Sequence, residues 1–196
     1  MFRALGERLC YSFAMRTLVL YVSKTGNTLK YAEEIAHAVH ADLLPARKFK
    51  PKMIAEYDTI VFGGWVMGNQ IRGLDKFLVH YPQMKEKNIL IFSCGMSMVT
   101  QQTRADMISS NILDLYHVRY YQLRGSFDYQ KLGPIQKLLM NNSLRLVAND
   151  PNASAEQQAL LAIKDTPIHY YDTEGVNKII SVLHRLETVV EVEEVK

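Results

Sequence analysis

The residues best suited to chemistry form one short run, Ser23-Lys24-Thr25-Gly26-Asn27-Thr28. It stands between an apolar stretch that ends at Val22 and a helical pattern that begins at Leu29. The first turn of a helix has backbone N–H groups without carbonyl partners, and its dipole favours negative charge there. A glycine lets the backbone come close to an anion, and hydroxyls complete the coordination without a cationic side chain. The run is therefore expected to form an anion nest for a phosphate. Lys24 either adds long-range attraction or points to solvent, and the plain alternative for the whole run is a turn with a threonine cap. Neither GxxxxGK[ST] nor GxGxxG occurs, which argues against nucleoside triphosphates and ordinary dinucleotide binding.

Other chemistry finds less support. His37 and His40 lie on one helical face without further ligands at metal spacing, and a solvated face is the simpler reading. No Gly-x-Ser-x-Gly elbow is present, so hydrolase chemistry has no footing. A phosphoacceptor domain would need carboxylates after the first strand to hold Mg²⁺, and Ser23 and Lys24 stand there instead. Cys94 reads as a small buried filler, with a redox thiol as the alternative.

Positioning these residues requires strands and helices in alternation. Thr17–Val22, Asp58–Phe62, Asn88–Phe92 and His117–Leu123 are short β-forming runs, and Ala41–Ala46 adds a further strand. Helical spacing covers Leu29–His40, Gly73–Tyr81, Thr103–Leu115 and Asp172–Leu186. Pro51–Glu56 reads as a short helix or turn. The alternation implies an α/β fold with a five-stranded parallel sheet of order 2-1-3-4-5 and helices on both faces. Ligands bind such a sheet beyond the carboxyl ends of its strands. The loops leaving those ends are Ser23–Thr28, Gly63–Gly68 and Ser93–Met98. Residues from about 124 to 171 interrupt the alternation as an inserted lobe, with a helix over Leu132–Leu144 and a capping box at Ser154–Gln157.

The segments YVSKTGNT, GGWVMG and SCGMSM, in this order and placement, resemble the three flavin loops of the flavodoxin superfamily, over about residues 17–186. The resemblance implies FMN, with its phosphate held by Ser23, Thr25, Gly26, Asn27 and Thr28, beside Lys24. It implies an isoalloxazine flanked by Trp65, Val66, Met67 and Gly68 on one side and Ser93, Cys94, Gly95 and Met96 on the other. Trp65, the only tryptophan, is the stacking candidate, with a loop-anchoring core aromatic as the alternative. In layout, the long insertion is similar to the branch that contains menaquinone-dependent protoporphyrinogen dehydrogenase. Tyr129, Leu132, Lys137 and Leu138 fall suitably within it. This implies an FMN-dependent oxidoreductase passing electrons from a small-molecule substrate to a quinone. The alternative is a one-electron carrier that docks on a redox protein. Such carriers are usually acidic and commonly set a tyrosine in the later loop, where this chain has Cys94-Gly95-Met96.

Composition agrees with one folded domain: 196 residues, 48% hydrophobic and 22% charged, with a net charge of +3. The first sixteen residues are basic and lack the apolar run of a secretory signal, so 1–16 is expected to be a loosely held leader, with a docked helix through Phe2, Leu5, Leu9 and Phe13 as the alternative. Met15 is a candidate for the true start. The tail 187–196 is acidic, through Glu187, Glu191, Glu193 and Glu194 against Lys196. The body between them is mildly basic, which suits an anionic small molecule, an acidic partner or an anionic membrane rather than nucleic acid. The helix over Leu132–Leu144, edged by Lys131, Lys137 and Arg145, either rests on a membrane surface or caps the core. Two cysteines make no disulfide framework, and a cytoplasmic, reducing setting is expected.

Overall fold

The computed structural model describes residues 15–153, 158 and 160–193. At its centre is β1 (Thr17–Val22), whose first four residues are buried, as expected of a strand covered on both faces. It pairs in parallel with β2 (Asp42–Pro45) and β3 (Thr59–Met67), with Val19 opposite Leu43 on one side and Val61 on the other. β5 (Asn88–Gly95) and β6 (Arg119–Phe127) continue the parallel sheet. These five strands reproduce the expected order 2-1-3-4-5.

Among the described residues the main helices are α1 (Asn27–Ala38), α2 (Leu74–Leu78), α3 (Gln101–Ser110), α4 (Pro134–Ala148) and α5 (Thr173–Glu193). Alternate residues of the central strands feed two separate cores. On one face Leu18, Leu20, Ile60 and Phe62 pack against α2, where the Phe62 and Phe77 rings stack at 4.8 Å. On the other, Val19, Val61, Leu90 and Phe92 pack against Tyr31 and Ile35 of α1 and Ile179 and Leu183 of α5.

The sheet departs from five parallel strands in two places. β3 runs on through Gly63–Met67 and turns back into β4 (Gln70–Ile71), so most of the expected Gly63–Gly68 loop is strand. The two glycines are there for close packing. A Cβ on Gly63 would lie 2.1 Å from the Phe92 ring, and one on Gly64 would lie 2.5 Å from Ile71. β7 (Ile168–Tyr171) pairs antiparallel with the end of β6, Phe127 opposite Ile168, inside the expected insertion. Ser93–Gly95 likewise belongs to β5 rather than to a loop.

Other boundaries move less. The expected Thr103–Leu115 helix is α3 followed by a separate turn at Leu113–Leu115, and α5 carries the acidic end of the chain as far as Glu193. Of the expected leader, Arg16 pairs with Asp42 at 3.4 Å and Glu56 at 4.0 Å, while residues 1–14 lie outside the described residues. The Ser154–Gln157 capping box also lies outside them.

Candidate functional site

Gly26 sits at φ 93°, in the left-handed region, and turns the chain sharply out of β1 into α1. No side chain caps this helix start, so its first N–H groups point outward from the sheet end. Ser23 shapes the turn from within: its hydroxyl accepts the Gly26 N–H at 3.2 Å. Asn27 ties the turn to the neighbouring strand, its amide donating to Ser126 O at 2.5 Å and to Thr25 Oγ1 at 3.3 Å. Thr28 differs from both. It is buried, and its side-chain oxygen has no partner of normal hydrogen-bond geometry, only a weak interaction with the Cys94 thiol.

Beyond these strand ends lies a cleft of about 380 Å³. Lys24, Thr25, Asn27 and Thr28 form one side, and Trp65, Val66, Met67 and Gly68 a second. Cys94, Gly95 and Met96 form the floor between them, with Trp65 opposite Cys94 across the β3–β5 pairing. Eleven of the fourteen expected site residues thus come together. Ser23, Gly26 and Ser93 stand behind the lining. Ser93 is fully buried and shares a 2.7 Å hydrogen bond with the Tyr120 hydroxyl. Among the described residues, Lys24 is the one charged side chain on the cleft wall, so the site favours an anion.

Of the remaining walls, the end of β6 escaped sequence reasoning, while the inserted helix was foreseen with only Leu132 of its lining residues singled out for the site. Gly125, Ser126 and Phe127, at the extended end of β6, close the cleft beside Asn27. A Cβ on Gly125 would stand 2.7 Å from Cys94 Sγ, so glycine is needed for the strand to approach. The outer wall is α4, which turns Gln136, Leu139, Met140, Ser143, Leu144 and Val147 inward. That spacing is one face of a helix, a signal present in the sequence although its target was not. Leu132 lines the cleft as well. Lys137 instead lies over the Tyr129 ring at 5.5 Å, and Leu138 faces outward, 61% exposed.

Cys94 is 5% exposed, and burial pushes its thiol up to about 12, with the Thr28 hydroxyl pulling the other way. It is a neutral filler at ordinary pH rather than a reactive thiolate. Burial likewise raises Tyr120 to about 12, against the opposing pull of Ser93 and Arg104. Among the described residues no three metal-ligating side chains converge, and no helix is long and apolar enough to cross a membrane. The arrangement can therefore hold an anion at the α1 terminus and a flat apolar body between the Trp65 and α4 walls.

The family model described as a flavodoxin domain matches residues 18–154. Among solved structures, Flavodoxin 2 from Bacillus cereus is 17% identical, over 56% of this chain and 84% of its own, with a TM-score of 0.44. Two-electron reduced Megasphaera elsdenii flavodoxin is 19% identical, over 54% and 82%, at 0.42. A flavoprotein in complex with FMN from Lactobacillus acidophilus NCFM is 18% identical, over 57% and 93%, at 0.37. No curated protein matches the chain.

Proposed function

The chain belongs to the flavodoxin-domain family, and from that premise we propose that it binds FMN noncovalently in the cleft and acts as an FMN-dependent oxidoreductase. The observation that carries this reading is the buried Thr28 oxygen in the cleft wall, held by nothing stronger than a weak thiol contact, beside an uncapped helix start. A phosphate there would meet the outward N–H groups of α1 and the hydroxyls of Thr25 and Thr28. Trp65 and the inward face of α4 would exclude water from the ring, and FMN when bound supplies the electron chemistry.

The finer reading is an enzyme of the protoporphyrinogen dehydrogenase type, with a quinone as acceptor. The placement of α4 supports it, because an inserted helix walling the cleft gives room and shape for a substrate, which a carrier does not need. The outward face of α4 presents Ile135, Leu138 and Leu146, with Lys131 and Arg145 at its edges. On the same reading it rests on an anionic membrane surface where quinone is found. That exposed ridge also favours a second reading, a one-electron carrier docked on a redox protein.

The test begins with the absorption spectrum of purified chain incubated with FMN. A yellow complex in one-to-one ratio supports the cofactor assignment, and a chain that stays colourless removes it. Oxidation of a porphyrinogen coupled to reduction of a menaquinone analogue then supports the enzyme. A loaded chain that turns over neither, yet exchanges single electrons with a reductase, establishes the carrier.

A further inference from the structure

On the sheet face away from α1, a second groove of about 990 Å³ runs between residues 46–49, β4 and α2. Its floor is apolar and recessed, since Leu20, Ile71 and Phe77 are almost fully buried. Phe49 packs against Phe77 at 6.2 Å between centroids and stands edge-on to His80 at 5.8 Å. The rim is cationic. Arg47, Arg72 and Lys76 are exposed along it, and among the described residues their side chains make no ion pair or hydrogen bond. One carboxylate, the exposed Asp75, shares the lining with these three cations, so the rim keeps a positive excess. Farther off, Asp42 and Glu56 pair with Arg16, whose backbone N–H donates to Asp58 at 3.0 Å. Lys48, Lys50 and Lys52 extend the positive potential along the exposed edge.

We propose that this groove is a binding site for a free aromatic anion, separate from the FMN cleft. The flat body lies against Phe49, Ile71 and Tyr116, and the acidic group meets the guanidinium forks of Arg47 and Arg72. A broad flat surface, whether protein or lipid, would touch the cationic rim but not the recessed floor. Trp65 is common to both walls, so an occupant lies one side chain from whatever fills the cleft.

The probe is 8-anilinonaphthalene-1-sulfonate, titrated calorimetrically into the full chain without FMN and again in excess FMN. The expected result is one site per chain that persists in both titrations. Its affinity falls at least about fivefold in the Arg47→Gln/Arg72→Gln double variant, and weakens with added salt. Lys131→Gln/Arg145→Gln, which removes cations beside α4, leaves it unchanged. Binding that is absent, that excess FMN abolishes, or that the α4 pair weakens in place of the groove pair, overturns the proposal. Because the groove component is read with and without FMN, its failure is distinguishable from failure of the cofactor assignment.

Discussion

A buried oxygen without a partner costs a folded chain about 1–3 kcal/mol, and Thr28 carries one in the cleft wall, its only contact a weak one to the Cys94 thiol. Such a cost is sensible where a ligand repays it. Thr28→Val removes the oxygen and keeps the shape, so the ligand-free variant should melt at the same temperature or higher. Its affinity for FMN, read by quenching of flavin fluorescence, should fall about tenfold, equivalent to about 1.4 kcal/mol. A variant that loses thermal stability instead would show the hydroxyl to be structural. Gly125 makes a complementary case, because a Cβ there would clash with Cys94 Sγ at 2.7 Å while meeting Asn27 only at ordinary contact distances of 3.4 and 3.5 Å. Gly125→Ala should destabilise by about 1–3 kcal/mol through overpacking. Adding Cys94→Ala removes that sulfur, and denaturant unfolding of the double variant should recover most of the loss. Strict additivity of the two changes would place the strain somewhere else.

At the scale of elements, the site depends on how α1 is fastened to the returning chain. The Tyr31 hydroxyl donates to Arg124 O at 2.5 Å and accepts the Asp172 N–H at 2.5 Å, joining α1, β6 and the start of α5. Its ring stacks on Tyr171 at 4.5 Å, and the Tyr171 hydroxyl donates to Glu34. Tyr31→Phe leaves a carbonyl and an N–H without partners, so a loss of about 2 kcal/mol is expected in urea unfolding, with the fold retained. An unchanged midpoint would mean that water replaces the phenol freely. This fastening was not legible in the sequence, because β7 is four residues long and too short for a periodic signal. The runs from Thr17, Asp58 and Asn88 were legible, since strands buried on both faces read as unbroken apolar stretches. So was the turn at 23–28 between β1 and α1, whose glycine and hydroxyls are local features. Gly63 and Gly64 misled because a glycine pair looks the same whether it makes a loop or admits Phe92 and Ile71 against a strand. The α4 wall was half visible. Its periodicity gave an amphipathic helix, but Leu138 faces solvent while Leu144 faces the cleft, and spacing alone does not say which side is which.

For the molecule as a whole, the buried acids give stability a direction with pH. The Cys94 thiol rises from near 9 to about 12 on folding, and the Tyr120 phenol from near 10 to about 12, each chiefly through burial. Tyr31 and Tyr171 are raised as well, by burial first. A group whose pKa is raised in the folded state holds a proton that the unfolded chain has already released. The folded form then binds more protons than the unfolded one, and stability falls as pH rises through that interval. The contribution is whole below pH 9 and declines from there toward pH 12. The thiol acts alone at first, at no more than about 1.4 kcal/mol per pH unit. The phenols join above pH 10 and steepen the fall. Denaturant midpoints measured from pH 7 to 11 should therefore stay level to about 9 and then drop with increasing slope. Cys94→Ala removes the earliest titrating group, so its profile should stay level for about one further pH unit before the phenols take over. Identical profiles for the two chains would show that the thiol ionises as readily in the fold as in water, and that the floor of the cleft is wetter than its burial implies.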